Sequence, residues 1–102
     1  MNNFNFKNNV LNVEDVSVIR IAEIIGTPAY IYSKKSFENN FNNFSNTLKK
    51  VLGHQSDILV AYSIKSNSNI AVIDILNSLY SGADVVSIGE LQRALKVGIP
   101  SE

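Results

Sequence analysis

Lys65 stands at the end of an apolar stretch and is the first residue of the sequence that could do chemistry. The segment ILVAYSIKSNSN covers residues 58–69 and turns polar immediately after this lysine. Burying an unpaired ammonium is costly, so Lys65 reaches solvent, forms an ion pair, or serves a function. A partly desolvated lysine loses its proton more readily, and the free amine can attack a carbonyl carbon to form an imine.

Two acidic residues downstream of Lys65 are further candidates for a functional site. Asp84 and Glu90 follow Lys65 at 19 and 25 positions. Asp84 lies on a predicted strand that neighbours the strand of Lys65. The two side chains can therefore form a structural ion pair instead of serving a function. Ser87 and Glu90 fit the S-x-x-E capping box, in which Ser87 accepts from the amide of Glu90 and the carboxylate accepts from the amide of Ser87. Spacing alone leaves the structural and the functional explanations open.

Strands and helices alternate around these residues. The pattern predicts helices over 12–25, 34–52, 70–81 and 88–97, each closed by a glycine, and strands over 28–33, 57–66 and 83–87. Strands that alternate with helices of ten or more residues indicate βαβ units around a parallel sheet, and therefore an α/β fold. Residues 1–11 are polar, and we expect them to be disordered. Because the alternation stops short of a further strand, we expect residues 1–102 to be the N-terminal piece of a longer chain.

Two of these elements have a clear pattern of apolar side chains. In the helix over 34–52, a stripe with steps of four, three, four and three residues predicts burial in the core; its members are Phe37, Phe41, Phe44, Leu48 and Val51. In the strand over 57–66, one face is bulky, while the other shrinks and becomes polar towards Lys65. A barrel strand with its functional residue at the carboxyl end has this character. An open doubly wound sheet places its site at the same strand ends, so both architectures remain.

Composition excludes several classes of function. The 102 residues include nine basic and nine acidic side chains and no cysteine, so a basic nucleic-acid face, disulfides and thiolate metal sites are not expected. The sequence has no phosphate loop and no metal-ligand cluster, and we expect no metal site. The first nine residues lack the layout of a signal peptide, and no apolar run reaches about 18 residues. We therefore expect a cytoplasmic protein without a membrane partner.

Three segments in a fixed order resemble a known family. GTPAYIYS (26–33), AYSIKSNSN (61–69) and GADVVSIGEL (82–91) are similar to the opening motifs of the fold-type III pyridoxal-phosphate-dependent decarboxylases, over roughly residues 20–100. DVVSIGEL is closer to the diaminopimelate branch than to the ornithine branch, which tends to D-C-A-S-K-x-E. Alanine racemases share the barrel, but their lysine is usually followed by A-D-A-Y-G. The resemblance implies that residues 1–102 form the N-terminal part of a pyridoxal-phosphate-binding TIM barrel of the alanine-racemase type.

The resemblance also implies roles for individual residues. Lys65 becomes the lysine that bonds covalently to the aldehyde of pyridoxal 5′-phosphate, and four further residues become cofactor-binding residues: Ala61, Asp84, Ser87 and Glu90. The chain departs from the family pattern at four positions. Ser63, Ile64 and Ser66 stand where the family usually has Ala, Val and Ala, and Ile88 stands where a glycine is common.

The implied activity is decarboxylation of meso-diaminopimelate to L-lysine by a protein that is a homodimer at full length. Residues 1–102 alone are expected to be inactive, because a TIM barrel needs roughly 200 residues and usually takes its phosphate site from its last loops. Two alternatives remain. One is decarboxylation of another basic amino acid: ornithine, arginine or carboxynorspermidine. The other is a non-catalytic α/β binding module in which Lys65 and Asp84 form only an ion pair.

Overall fold

The computed structural model describes residues 3–102 as a small antiparallel sheet followed by a βαβ unit with flanking helices. The strands are β1 (Phe4–Lys7), β2 (Val10–Val13), β3 (Val16–Ser17), β4 (Ala61–Ser63) and β5 (Gly82–Asp84). The helices are α1 (Val18–Ile25), α2 (Lys34–Leu52), α3 (Ile70–Asn77) and α4 (Ile88–Lys96), and a 3₁₀ turn spans Ile64–Ser66. Within residues 3–102, no helix combines the length and the apolar character needed to cross a membrane.

The N-terminal segment forms a β-hairpin. β1 pairs with β2 in antiparallel fashion, with Lys7 opposite Val10. The two intervening residues, Asn8 and Asn9, have φ values of 51° and 61°. Positive φ at both turn positions is typical of the two-residue turns whose twist matches a hairpin, and asparagine tolerates it better than most residues. The expected disorder of residues 1–11 is therefore wrong for residues 3–11, and residues 1 and 2 lie outside the described residues.

The helix predicted over 12–25 is wrong in its first half. β2 runs to Val13, and β3 returns antiparallel with Val13 opposite Val16. Glu14, between these strands, has φ 55°, which no right-handed helix accommodates. The helix begins instead at Val18, where Ser17 Oγ accepts a hydrogen bond from the amide of Ile19 at 3.2 Å.

Glu14 fastens the hairpin to the start of α2. Its Oε1 accepts hydrogen bonds from Ser33 Oγ at 2.8 Å and from the amide of Lys35 at 3.0 Å. Ser33 is buried and is itself the N-cap of α2. The strand predicted over 28–33 does not form, because this segment has no ladder partner among residues 3–102. Its last residue, Ser33, is held by the α2 cap and by Glu14.

We expect the Glu14 contact to make stability depend on pH. The Lys35 amide and then the Ser33 hydroxyl hold the pKa of Glu14 below its usual value of 4.5. A lowered pKa contributes stability above pH 4.5, and that contribution is lost as the pH falls through the folded-state value. In urea unfolding, Glu14→Gln should be less stable than the wild type at pH 7, and the difference should narrow near pH 3. Glu102→Gln, at an exposed position, is the control; a difference for Glu14→Gln that is the same at both pH values would contradict the prediction.

The parallel sheet expected from the sequence is confirmed. β4 and β5 are parallel neighbours with Ser63 opposite Asp84, and α3 connects them. A core cluster fixes this unit; its buried members are Ile64, Ile73, Ala94 and Ile99, contributed by the 3₁₀ turn, α3, α4 and the segment after α4. Both strands are shorter than predicted, because the ladder covers only three residue pairs.

Helix α2 has the predicted length and ends at Gly53. The expected burial of its apolar stripe is wrong for residues 3–102, since no residue of α2 is buried. Phe44 is 58% exposed and Val51 is 75% exposed. The other three members, Phe37, Phe41 and Leu48, are half-buried, and α2 packs against α3.

Candidate active site

Lys65 lies in the 3₁₀ turn that directly follows β4. Its neighbour Ile64 is 0% exposed and belongs to the core cluster, whereas Lys65 itself is exposed. The burial pattern from Ile58 to Lys65 alternates as predicted, with the bulky face more buried than the face that carries the lysine. The core therefore anchors the backbone immediately before Lys65 and leaves its amine accessible at the carboxyl end of the strand.

Asp84 is the last residue of β5 and lies beside the same strand end. Ser63, two residues before Lys65, pairs with Asp84 across the parallel ladder. The Ser63 hydroxyl also donates a 2.7 Å hydrogen bond to Asp84 Oδ2. The ion pairs within residues 3–102 are Lys7–Asp15, Arg20–Glu23 and Lys34–Glu38, so Lys65 and Asp84 do not pair with one another. The alternative in which these two residues form only an ion pair has no support in this arrangement.

Ser87 and Glu90 lie at the start of α4, three and six residues beyond the end of β5. Ser87 Oγ accepts from the amide of Glu90 at 3.1 Å, as the capping box predicts. The carboxylate does not return to the amide of Ser87. Glu90 Oε2 instead accepts from Ser87 Oγ at 2.9 Å and from the amide of Val86 at 3.3 Å.

The second carboxylate oxygen of Glu90 is a buried acceptor without a partner. Glu90 Oε1 is shielded from solvent, and no donor within residues 3–102 reaches it. A buried oxygen of this kind is costly unless a hydrogen-bond donor meets it. Glu90 therefore has one oxygen used by the helix cap and one available to a donor that residues 3–102 do not supply.

The predicted site residues are not equally close to one another. Four of them lie at the carboxyl ends of β4 and β5 or immediately after them, where a parallel sheet places its functional residues. These four are Lys65, Asp84, Ser87 and Glu90. Ala61 lies at the start of β4, opposite Gly82, and so belongs to the lower part of the same strand pair. Its placement against a cofactor remains a prediction.

Residues that flank Lys65 form a hydrogen-bond network that the spacing did not predict. Ser66 Oγ donates to the carbonyl of Ser63 at 2.7 Å and lies 3.2 Å from the Tyr62 hydroxyl. The Tyr62 hydroxyl donates to the carbonyl of Asn67 at 2.9 Å. The signal in the sequence was the presence of serine at positions 63 and 66, but serine is so common in turns that it did not point to a network.

A groove elsewhere on the surface does not coincide with these side chains. It has a volume of about 580 Å³ and lies along β5 and the residues after α4, with Leu59, Tyr80, Ala83 and Pro100 among its lining. Neither Lys65 nor Glu90 lines it. We place the candidate site at the strand ends because the reactive groups lie there, whereas the groove is lined mainly by residues 80–83 and 98–102.

Comparison with known proteins defines the class. A family model described as the pyridoxal-binding domain of pyridoxal-dependent decarboxylases matches residues 34–102. The chain belongs to this family of pyridoxal-dependent decarboxylases. The matched range contains all five predicted site residues.

Several similar proteins are diaminopimelate decarboxylases. A diaminopimelate decarboxylase of Haemophilus influenzae is 41% identical over 98 residues, which cover 96% of this chain and 22% of that protein. One of Helicobacter pylori is 45% identical over 73 residues, covering 72% of this chain and 17% of that protein. The crystal structure of diaminopimelate decarboxylase from M. jannaschii matches with a TM-score of 0.91 and 33% identity, covering 97% of this chain and 23% of that one.

These matches confirm the family resemblance and the α/β fold of the barrel domain expected from the sequence. This chain spans 22% of the length of the Haemophilus influenzae relative and 23% of the length of the M. jannaschii enzyme.

Proposed function

We propose that this chain supplies the cofactor-binding lysine of a pyridoxal-phosphate-dependent decarboxylase, and that Lys65 is that lysine. The observation that carries the proposal is an exposed amine without an ion-pair partner in residues 3–102, held at the end of β4 by the buried side chain of Ile64. The match of residues 34–102 to a pyridoxal-binding domain supports it.

The residues at the strand ends suit pyridoxal phosphate. The Lys65 amine is the group that an aldehyde requires, and Glu90 Oε1 is a buried acceptor that lacks a donor within the described residues. When bound, the cofactor supplies an electron sink for the carbon that loses carbon dioxide. In this proposal the Lys65 amine would bond to the aldehyde carbon of the cofactor. The carboxylates of Asp84 and Glu90 would accept hydrogen bonds from donor groups around that carbon. Ser87 and Ala61 would line the wall of the pocket.

For the substrate we propose meso-diaminopimelate, with L-lysine as the product. The shared name of the relatives supports this choice, and the M. jannaschii enzyme has also been crystallised in co-complex with L-lysine. Decarboxylation of ornithine, arginine or carboxynorspermidine remains the alternative. Assembly as a homodimer and a cytoplasmic location are further proposals, which follow from the family resemblance.

Reductive trapping tests the role of Lys65. We define the chimera as the Haemophilus influenzae relative in which this chain replaces the matching 98-residue segment. After incubation with pyridoxal phosphate and reduction with borohydride, peptide mapping should place the added mass on Lys65 rather than on the other six lysines of this chain. Lys96, an exposed lysine of α4, serves as an internal control for non-specific labelling.

Two outcomes would contradict the proposal. One is label that is spread over the surface lysines in proportion to their exposure. The other is a chimera that is folded by circular dichroism but carries no label. Release of carbon dioxide from meso-diaminopimelate, compared with release from ornithine and arginine, distinguishes the proposed substrate from its alternatives.

A further inference from the structure

The turn that carries Lys65 is held from both sides by side-chain hydroxyls. We call residues Ile64–Ser66 the Lys65 turn. On its C-terminal side, Ser66 Oγ donates to the carbonyl of Ser63 at 2.7 Å. The Tyr62 hydroxyl bridges the whole turn, because it comes from β4 and donates to the carbonyl of Asn67 at 2.9 Å. The residues before and after the lysine are thereby tied to one another.

The same network reaches the carboxylate on the neighbouring strand. Ser63 accepts the hydrogen bond of Ser66 through its carbonyl and donates its own hydroxyl to Asp84 Oδ2 at 2.7 Å. Within residues 3–102, this is the side-chain hydrogen bond that orients Asp84. The Lys65 turn and the Asp84 carboxylate are therefore connected through a single residue, Ser63.

A 3₁₀ turn needs such support more than a longer element does. Its backbone hydrogen bonds have poorer geometry than those of an α-helix, and this turn spans only three residues. A backbone bond from the amide of Asn67 to the carbonyl of Ile64 closes it at 3.1 Å. The lysine side chain adds four rotatable bonds of its own, so any motion of the turn is amplified at the amine.

We propose that Ser63 and Ser66 are positioning residues, which hold the Lys65 amine and the Asp84 carboxylate in one arrangement for capture of the cofactor. Each serine makes its bond through its hydroxyl: Ser63 donates to Asp84, and Ser66 donates to the carbonyl of Ser63. This inference rests on the proposed function, since it assigns the serines a role towards Lys65.

The rate of covalent capture measures this role. The Lys65 nitrogen bonds to the aldehyde carbon of pyridoxal phosphate and the aldehyde oxygen leaves as water; borohydride, added at timed intervals, then reduces the carbon–nitrogen bond. In the chimera, Ser66→Ala should slow labelling of Lys65 roughly two- to tenfold, the range that corresponds to one lost hydrogen bond. Ser63→Ala should act in the same direction, and Ser66→Thr, which keeps the hydroxyl, should restore the wild-type rate.

Ser78 offers a matched control. Its hydroxyl donates to the carbonyl three residues earlier, that of Ile75, as Ser66 does to Ser63, and it is likewise exposed. Ser78→Ala should leave the capture rate unchanged, while its effect on the urea midpoint should match that of Ser66→Ala. Slower capture at an equal midpoint separates positioning from a general loss of stability.

The outcomes separate the two proposals. Absence of label on Lys65 in the wild-type chimera would overturn the proposed function. Normal labelling of Lys65 with Ser63→Ala and Ser66→Ala at the wild-type rate would overturn only the positioning role.

Hydrogen exchange in the 102-residue chain gives an independent measurement that does not need the chimera. Ser66→Ala should speed exchange of the Asn67 amide, whereas Ser78→Ala should not. Exchange that is unchanged by Ser66→Ala would also overturn the positioning role.

Discussion

Replacement of Lys65 by alanine is expected to abolish decarboxylation by the chimera. Lys65 is the amine that holds the cofactor in the proposed function, and no other lysine lies in β4, β5 or the Lys65 turn. Removal of a residue that forms the covalent bond should reduce kcat by roughly 10³-fold or more. The measurement is release of carbon dioxide from meso-diaminopimelate at saturating substrate, with pyridoxal phosphate in excess.

Two variants make the Lys65→Ala result specific. Lys65→Arg keeps a cation at this position but offers no amine that can capture an aldehyde, so it should be as inactive as the alanine variant. Lys96→Ala removes an exposed lysine of α4 and should retain wild-type activity. If Lys65→Arg retained most of the activity, the role of Lys65 would be electrostatic, and the covalent assignment would be wrong.

The roles of side chains at the site were predictable from the sequence where they depend on the spacing of nearby residues. The capping role of Ser87 followed from its spacing to Glu90, and the alternation of side chains along β4 placed Lys65 on the less buried face. The partners of Asp84 and of Glu90 Oε1 were not predictable. Such partners depend on which backbone groups a fold brings within about 3 Å, and residue spacing carries no information on that scale. The five cofactor-binding assignments remain predictions from the resemblance.

The fold was predictable where one helix face or one glycine determines an element. The end of α2 at Gly53 is an example, since Gly53 has φ 97°, which favours glycine. The N-terminal hairpin was missed for a physical reason. Its signals were the alternating Phe4 and Phe6 and the Asn8–Asn9 pair, but the surrounding asparagines made the segment resemble a polar tail.

A second wrong prediction concerned a segment that can form a strand only beside a neighbouring strand. Residues 28–33 have the aromatic and β-branched side chains typical of a strand, yet they form no ladder within residues 3–102. β-propensity largely reports how a side chain fits a pleated and half-buried surface, so composition cannot supply a neighbouring strand. Tyr30, in this segment, is 90% exposed, which agrees with a strand-like sequence that has no sheet partner within the described part of the chain.

The largest expected loss of stability is for Ile64→Ala. Ile64 is fully buried and packs with Ile73, Ala94 and Ile99, which come from three different parts of the chain. Truncation leaves a cavity that surrounding helices fill only partly, and such a change costs about 2–5 kcal/mol. Urea unfolding of the 102-residue chain should show a lower midpoint with an unchanged slope. Ile64→Val, expected to cost about 0.5–1.5 kcal/mol, keeps the effect measurable if the alanine variant does not fold.

Ile24→Ala is the matched control for this substitution. Ile24 lies in α1 and is 67% exposed, so its truncation removes little buried area, and alanine is the better helix former. Its unfolding midpoint should be within experimental error of the wild type or slightly higher. Equal midpoints for Ile64→Ala and Ile24→Ala would mean that the cluster around Ile64 does not hold the βαβ unit together. The backbone next to Lys65 would then have no rigid support, because the residue before the lysine is the one that connects it to the core.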